Sequence, residues 1–294
     1  MHTPPIHDAP LLPFDHLDTL WLQVTGTLCN LACLHCFISC GPKNHSHPFM
    51  TLEQVQEALI TAQRLGVKEF YYTGGEPFMH PQIKEMIAAT LEVGPLTILT
   101  NGILIDEAMA RWLADQARSA RYGLDLRVSL DGASPEENDA IRGRKTFWKI
   151  LDGISRLHDA GINPVITITT CHASAGGEQG RLRFVELLAS RGLHKPRLKF
   201  LSPFKIGREE TRHDGDGGYR PYERLKEGDL DEGDDHLQCK SCRMVTAKGV
   251  WPCPILIEVP EARMGDALDE ALHPIRLDHP ACYTCHVEGI SCRT

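Results

Sequence analysis

From Leu20 to about residue 202 the apolar positions follow two alternating rhythms. LWLQVT (20–25) predicts a first strand. Thr51 and Gln54 have the form of a capping box, and Val55, Ala58, Leu59, Ala62 and Leu65 then recur at helical spacing up to Gly66. VKEFYY (67–72) predicts a second strand, Pro81 opens a helix to about Leu91, and LTILT (96–100) predicts a third strand that ends at Asn101-Gly102. A helix over about 105–118 precedes a strand in which Leu124, Leu126, Val128 and Leu130 alternate with polar residues. A helix near 146–160 leads to INPVITITT (162–170), and one near 180–191 leads to PRLKFL (196–201). Six β/α units in succession imply parallel strands with crossover helices, an α/β fold. A doubly wound open sheet and a partial barrel both satisfy this rhythm.

After residue 202 the rhythm stops. Residues 205–236 are rich in Gly, Asp, Glu and Arg, including GDGG and EGDLDEGDD, which predicts a solvated linker or mobile loop. Residues 237–294 have few apolar side chains and six cysteines, the composition of a small unit that needs staples or metals. The expected division is an extension (1–19), an α/β domain (20–202), a linker (203–236) and a cysteine-rich domain (237–294).

The chain has 294 residues, net charge -8 and a pI of about 6.0. That balance disfavours a general nucleic-acid binder but allows a small molecule containing a nucleotide. No basic start leads into an apolar run, and no stretch approaches the ~18–20 apolar residues of a membrane span. The expectation is a cytoplasmic protein with neither membrane nor nucleic acid as partner. In a reducing compartment its 11 cysteines suit metal ligation or catalysis better than disulfides. Cys171, alone between two clusters, reads as a small buried side chain.

The first cluster lies in GTLCNLACLHCFISCG (26–41), just after the first strand. In a β/α barrel the loops after strands gather at one face, where chemistry occurs. Cys29-x3-Cys33-x2-Cys36 suits three ligands to an iron–sulfur cluster with one iron left open, or three ligands to zinc with an open position. CNLACLHC resembles the Cys-x3-Cys-x-aromatic-Cys motif of the radical S-adenosylmethionine (SAM) superfamily, with His35 in the aromatic slot. Gly74-Gly75-Glu76-Pro77 after the second strand is similar to the family's GGEP. Thr100-Asn101-Gly102, Ser129-Leu130-Asp131-Gly132 and Ile141-Arg142-Gly143 resemble segments of members with auxiliary clusters.

The resemblance implies a partial (β/α)6 TIM-type barrel and a [4Fe–4S] cluster on Cys29, Cys33 and Cys36, with SAM on the open iron. It implies that one electron cleaves SAM and that the resulting 5′-deoxyadenosyl radical abstracts a substrate hydrogen. It further implies that His35 packs near adenine. The carbonyls of Gly74 and Gly75, with Glu76 nearby, would accept from the SAM ammonium, Ser129 and Asp131 would meet the ribose, and Arg142 would pair with the carboxylate. Each helper also has a plainer reading. The glycines and Asn101-Gly102 can be turns, and Asp131 can be a cap. Cys40 is expected to pack beneath the loop, with a fourth-ligand role as the alternative, and His45 and His47 to face solvent or form hydrogen bonds.

The second set is Cys239-x2-Cys242-x10-Cys253 and Cys282-x2-Cys285-x6-Cys292. Taken alone, two Cys-x2-Cys pairs suggest zinc, though their separation exceeds the usual ribbon spacing. Cys239-x9-Gly249-Val-Trp-Pro-Cys253 is similar to the opening of SPASM and twitch domains, with one residue fewer after the glycine. That resemblance implies one auxiliary [4Fe–4S] cluster, on Cys239, Cys253, Cys282 and Cys285. Cys242 stands as an alternative ligand, and Cys292 as a ligand or a closure of the tail.

The expected function is an oxidative modification through the auxiliary cluster, with a flavodoxin or ferredoxin as electron donor. With the barrel starting near residue 20, no room is expected for a separate leader-binding domain. That favours a small-molecule substrate, or a peptide delivered by a partner. Redox-neutral rearrangement or epimerisation with a structural zinc is the alternative within the class. An electron-transfer or cluster-carrier protein is the alternative outside it, and the GGEP and SLDG segments argue against that. Lys199 and Lys205 are candidate bases whose plainer reading is surface lysine.

Overall fold

The computed structural model describes residues 8–212, 217–230 and 236–289. After a short β1 (Leu11–Leu12) the main run is β2 (Thr19–Gln23), α1 (Leu52–Leu65), β3 (Glu69–Thr73), α2 (Ile83–Leu91), β4 (Leu96–Thr100), α3 (Glu107–Ser119) and β5 (Leu124–Ser129). It continues with α4 (Pro135–Arg142), α5 (Phe147–Asp159), β6 (Val165–Thr169), α6 (Gly177–Ala189) and β7 (Arg197–Leu201). Then follow α7 (Arg208–Thr211), β8 (Cys242–Thr246), β9 (Gly249–Trp251), β10 (Ile275–Arg276) and α8 (Pro280–Val287). The sheet order is β7-β6-β5-β4-β3-β2-β8-β9. Strands β2 to β7 are parallel in chain order, as the β/α rhythm requires.

Local chemistry explains the elements. At α1 the Thr51 hydroxyl accepts from the Gln54 N–H, the Gln54 side chain accepts from the Thr51 N–H, and Gly66 closes the helix at φ 77. Helix α4 was not expected, although Ser134-Pro135-Glu136-Glu137 carries its signal. The Ser134 hydroxyl caps the Glu137 N–H, and Pro135 occupies the first turn.

The strands bury both faces. Leu20, Leu22, Phe70, Leu126, Val128 and Ile166 pack beneath the helices in the main core. On the other face Trp21 stacks on Tyr71 with ring centroids 4.3 Å apart. Register then carries that row outward, from Trp21 to Met244 of β8 and from Met244 to Trp251 of β9. Each indole removes on the order of 200 Å² from water, worth about 5 kcal/mol before the entropy of ordering.

The cysteine-rich tail therefore joins the barrel directly. Strand β8 pairs parallel with β2, and Trp21, Met244 and Trp251 share one core. Residues 203–236, expected as a solvated linker, contribute buried Phe204, Glu209 and Leu225. Much of the acidic run, and Cys292, lie outside the described residues.

Candidate active site

The first cysteine loop leaves the end of β2 and is closed at its base. Leu28 bridges Gly41, the Cys29 N–H donates to Gly41 O at 3.2 Å, and the Gly41 N–H donates to Thr27 O at 3.1 Å. Within the loop, backbone amides turn toward sulfur. The Leu31 N–H meets Cys29 Sγ at 3.4 Å, and the Cys40 N–H meets Cys36 Sγ at 3.2 Å. Burial pushes the Cys29 thiol up to about 12 and the Cys33 thiol up to about 11. Hydrogen bonding from Cys40 outweighs burial at Cys36 and lowers that thiol to about 6, with Arg208 adding to the effect. Cys40 is buried as expected, its thiol 3.8 Å from Gly74 O. His45 is exposed. His47 is not: its ring is buried against Trp251 at 5.5 Å, because the chain after the loop folds back under β9.

The end of β3 lies flush against this loop. A Cβ on Gly75 would stand 1.9 Å from Leu28 O, and one on Gly74 would stand 2.3 Å from Thr25 Oγ1. Gly74 also has φ 145, a conformation that side chains resist. Glu76, expected near the cofactor ammonium, has its carboxylate engaged within the protein. Fully buried, it accepts from the Phe78 N–H at 3.2 Å, the Thr100 hydroxyl at 2.7 Å and the Asn101 N–H at 2.7 Å. It pins the end of β3 to the end of β4.

Burial outweighs these donors and raises the Glu76 carboxyl to about 7. A carboxyl raised above its unfolded value favours folding below that value and loses the advantage as pH rises through the folded one. Glu76→Gln should therefore flatten the fall in stability between about pH 4.5 and 7. Melting temperature measured against pH for both proteins checks this, and parallel curves would refute it.

Asn101 reaches the cysteine loop. Its Nδ2 donates to Asn30 Oδ1 at 2.7 Å and approaches Cys29 Sγ at 3.9 Å. Asp131, just beyond β5, is completely buried. Its Oδ2 lies 2.8 Å from His35 Nε2 and 2.7 Å from Arg142 Nε, while its Oδ1 accepts from the Thr169 N–H at 2.8 Å. Burial alone would raise this carboxyl, but Arg142 and His35 prevail and hold it well below the usual carboxylate range. The expected ribose contact thus falls on a carboxylate that accepts one backbone hydrogen bond and lies at ion-pair distance from His35 and Arg142. Ser129 stands half-buried at the end of β5. The loop, β3, β4 and β5 therefore converge through Glu76, Asn101 and Asp131. Half-buried Cys171 sits beyond β6, its thiol pushed up to about 12 by burial. Lys205, a candidate base, pairs with Glu223 at 2.6 Å.

One residue escaped the sequence reading altogether. Arg208, at the start of α7, donates from Nε to Cys33 O at 2.8 Å, from Nη1 to Ser39 O at 2.8 Å and from Nη2 to Cys40 O. Its own N–H donates to Cys36 O at 3.1 Å. Gly207 permits the approach at φ 62, since a Cβ there would stand 2.4 Å from Phe37 O. Charge-assisted hydrogen bonds contribute about 1.5–3 kcal/mol each, so Arg208→Met should cost about 2–4 kcal/mol after relaxation. Chemical denaturation measures this, and a loss below about 0.5 kcal/mol would show the strap to be idle.

In the tail, Cys239, Cys282 and Cys285 pack around one small core, and Cys253, Cys282 and Cys285 around its neighbour. Burial raises the Cys282 thiol well above its usual range, and the nearby Cys239 and Cys253 add to the effect. Cys242 turns away. It is fully buried in the core around Trp21, with Sγ 3.4 Å from Pro252 O. Among the described residues no three His, Cys, Asp or Glu side chains are drawn in to the spacing of a single ion's ligands. A four-iron cube spreads its thiolates further apart than one ion does.

A family model described as the Radical SAM superfamily matches residues 24–173, half of the chain. The chain belongs to that superfamily. It is an enzyme, and a [4Fe–4S] cluster and SAM are its cofactors. Among curated relatives it is 31% identical over 154 residues to the GTP 3′,8-cyclase of Peptoclostridium acidaminophilum, a match covering 51% of this chain and 45% of that protein. It is 34% identical over 135 residues to the mycofactocin maturase MftC of Mycobacterium ulcerans (strain Agy99), covering 45% of this chain and 34% of the maturase. The matches thus span less than half the length of these relatives. In fold it resembles the solved structure of native anSMEcpe with bound AdoMet and Cp18Cys peptide. The TM-score is 0.63 at 17% identity, over 86% of this chain and 79% of that one. The fold is the partial barrel expected.

Proposed function

We propose that Cys29, Cys33 and Cys36 ligate the SAM-binding [4Fe–4S] cluster. SAM then lies over the ends of β3 to β5, bounded by Gly74, Gly75, Asn101 and Ser129. One observation carries this reading. Three thiols share a loop whose amides point at sulfur, and Gly75 brings the next strand end against that loop with no space for a side chain. When bound, the cluster and SAM supply a reductive cleavage whose 5′-deoxyadenosyl radical removes a substrate hydrogen. The chain's own work is positioning. Glu76 and Asp131 hold the strand ends, His35 and Arg142 are oriented by Asp131, and Arg208 holds the loop.

Cys239, Cys253, Cys282 and Cys285 are proposed to bind one auxiliary [4Fe–4S] cluster, which receives an electron from the substrate in a net oxidation. The convergence of these four thiols around two adjoining cores supports that set, and the complete burial of Cys242 among apolar side chains supports its exclusion. The substrate class is a peptide or a small molecule. Similarity to a maturase, and the fold shared with a peptide-bound enzyme, support the first. Similarity to a nucleotide cyclase supports the second. A flavodoxin or ferredoxin is the proposed electron donor and the cytoplasm the proposed location. No helix among the described residues is long and apolar enough to cross a membrane.

Anaerobic reconstitution followed by iron, sulfide and zinc analysis tests the pair of sites. About eight irons per chain support two clusters. About four irons with one zinc would make the tail structural and favour redox-neutral chemistry. Failure to form 5′-deoxyadenosine from SAM under reduction would overturn the first site.

A further inference from the structure

Arg243 follows Cys242 in β8 and is completely buried. Its guanidinium is well supplied with hydrogen bonds. Nε donates to Ala271 O at 2.6 Å, Nη1 to Cys239 O at 2.9 Å and Cys242 O at 2.6 Å, and Nη2 to His273 O at 2.8 Å. Four of the five N–H groups of an arginine fork are thereby used on neutral carbonyls. The face of the Phe14 ring lies 4.1 Å away.

What this cation lacks among the described residues is a carboxylate. Buried Arg142 has Asp131 at 2.7 Å, whereas Arg243 has no acidic partner among the described residues. Carbonyl dipoles and a ring quadrupole reduce the cost of burying the charge but do not neutralise it, and an uncompensated buried ion costs several kcal/mol. The nearby groups that can carry negative charge are cysteines: the guanidinium grips the carbonyls of Cys239 and Cys242, and Cys253 lies close as well. Cys242 is turned into the core, which leaves the Cys239 and Cys253 side to supply the missing charge. A metal–thiolate centre carries net negative charge, and an iron–sulfur centre gains more on reduction.

We infer that Arg243 is the buried counter-charge and brace of the metal–thiolate centre formed by Cys239, Cys253, Cys282 and Cys285. This rests on the metal-binding role proposed above for those cysteines. The fork fixes the Cys239–Cys242 turn through its carbonyls, and the charge stabilises the centre most in its reduced state. Arg208 braces the first cysteine loop in the same way, through three of its carbonyls.

The experiment uses the full chain with Cys29, Cys33 and Cys36 replaced by alanine, so that only the tail centre is read. Arg243→Met and Arg243→Lys are compared in that background by metal analysis and redox titration followed by electron paramagnetic resonance. Arg243→Met should shift the oxidised-to-reduced ratio at fixed potential at least tenfold toward the oxidised form, about 59 mV downward for one electron. Arg243→Lys, which keeps the charge, should hold the potential while losing thermal stability. An unchanged potential in a folded Arg243→Met protein would reduce Arg243 to a packing residue, and so would a Lys variant shifted tenfold. If Arg243→Met does not fold, the Lys variant decides alone. If the tail holds zinc, chelator competition replaces the titration, with a loss of affinity of at least tenfold expected only for Met. A tail without metal would sink both the counter-charge and the auxiliary centre, and the first cluster would stand untouched.

Discussion

Replacing Cys29, Cys33 and Cys36 together by alanine should reduce 5′-deoxyadenosine formation to the background of SAM and reductant alone. Iron should fall from about eight to about four atoms per chain. The loss is specific because the bonds that close the loop do not use its thiols. The Leu28–Gly41 bridge, the Cys36 N–H to Cys33 O bond and the Arg208 strap all use backbone atoms, which alanine retains. The triple variant should therefore melt within a few degrees of the metal-free parent. Product formation is read by chromatography after anaerobic reduction. Persistence of 5′-deoxyadenosine at the parental rate would move the first cluster to other residues.

Asp131→Ala is expected to have the largest effect on stability. It leaves the Arg142 guanidinium buried without its partner and frees the His35 ring. Removing one member of a buried pair costs about 3–5 kcal/mol. At ~2–4 °C per kcal/mol, the melting temperature should fall by roughly 6–20 °C. The sign with pH follows from the depressed carboxyl. Its contribution is present above the unfolded carboxylate value and is lost as pH falls below it. The gap between parent and variant should thus be full near neutrality and close in acid. Adding Arg142→Met should restore part of the loss, because the orphaned cation is then gone. A deficit under about 1 kcal/mol, or a double variant no better than the single, would show that the pair contributes little.

Sequence periodicity reached the barrel because each β/α unit is locally encoded. The Thr51–Gln54 box, the stop at Gly66 and the alternation of Leu126, Val128 and Leu130 need no distant partner to be read. The cysteine spacing was legible for the same reason. What escaped depends on distant packing. Nothing around Arg208 or Arg243 announces that a guanidinium will face carbonyls of a cysteine loop. The internal partners of Glu76 and Asp131 were not legible, because an acid at a strand end looks the same whether it meets a ligand or its own neighbours. Only their burial and their donors on β4, β6 and α4 show that they hold the site together. The pairing of β8 with β2 joins strands about 220 residues apart, beyond any local pattern.

That pairing has a consequence for the order of events at the ribosome. Strand β2 emerges early, with β3 soon available on one side, but its other edge is covered only by β8. At ~5–20 residues per second that edge waits roughly ten to forty seconds for β8. A parallel barrel with an open apolar edge is a template for pairing with neighbours. A nascent chain released before residue 246 should therefore aggregate rather than fold, since the strand that covers this edge would be missing.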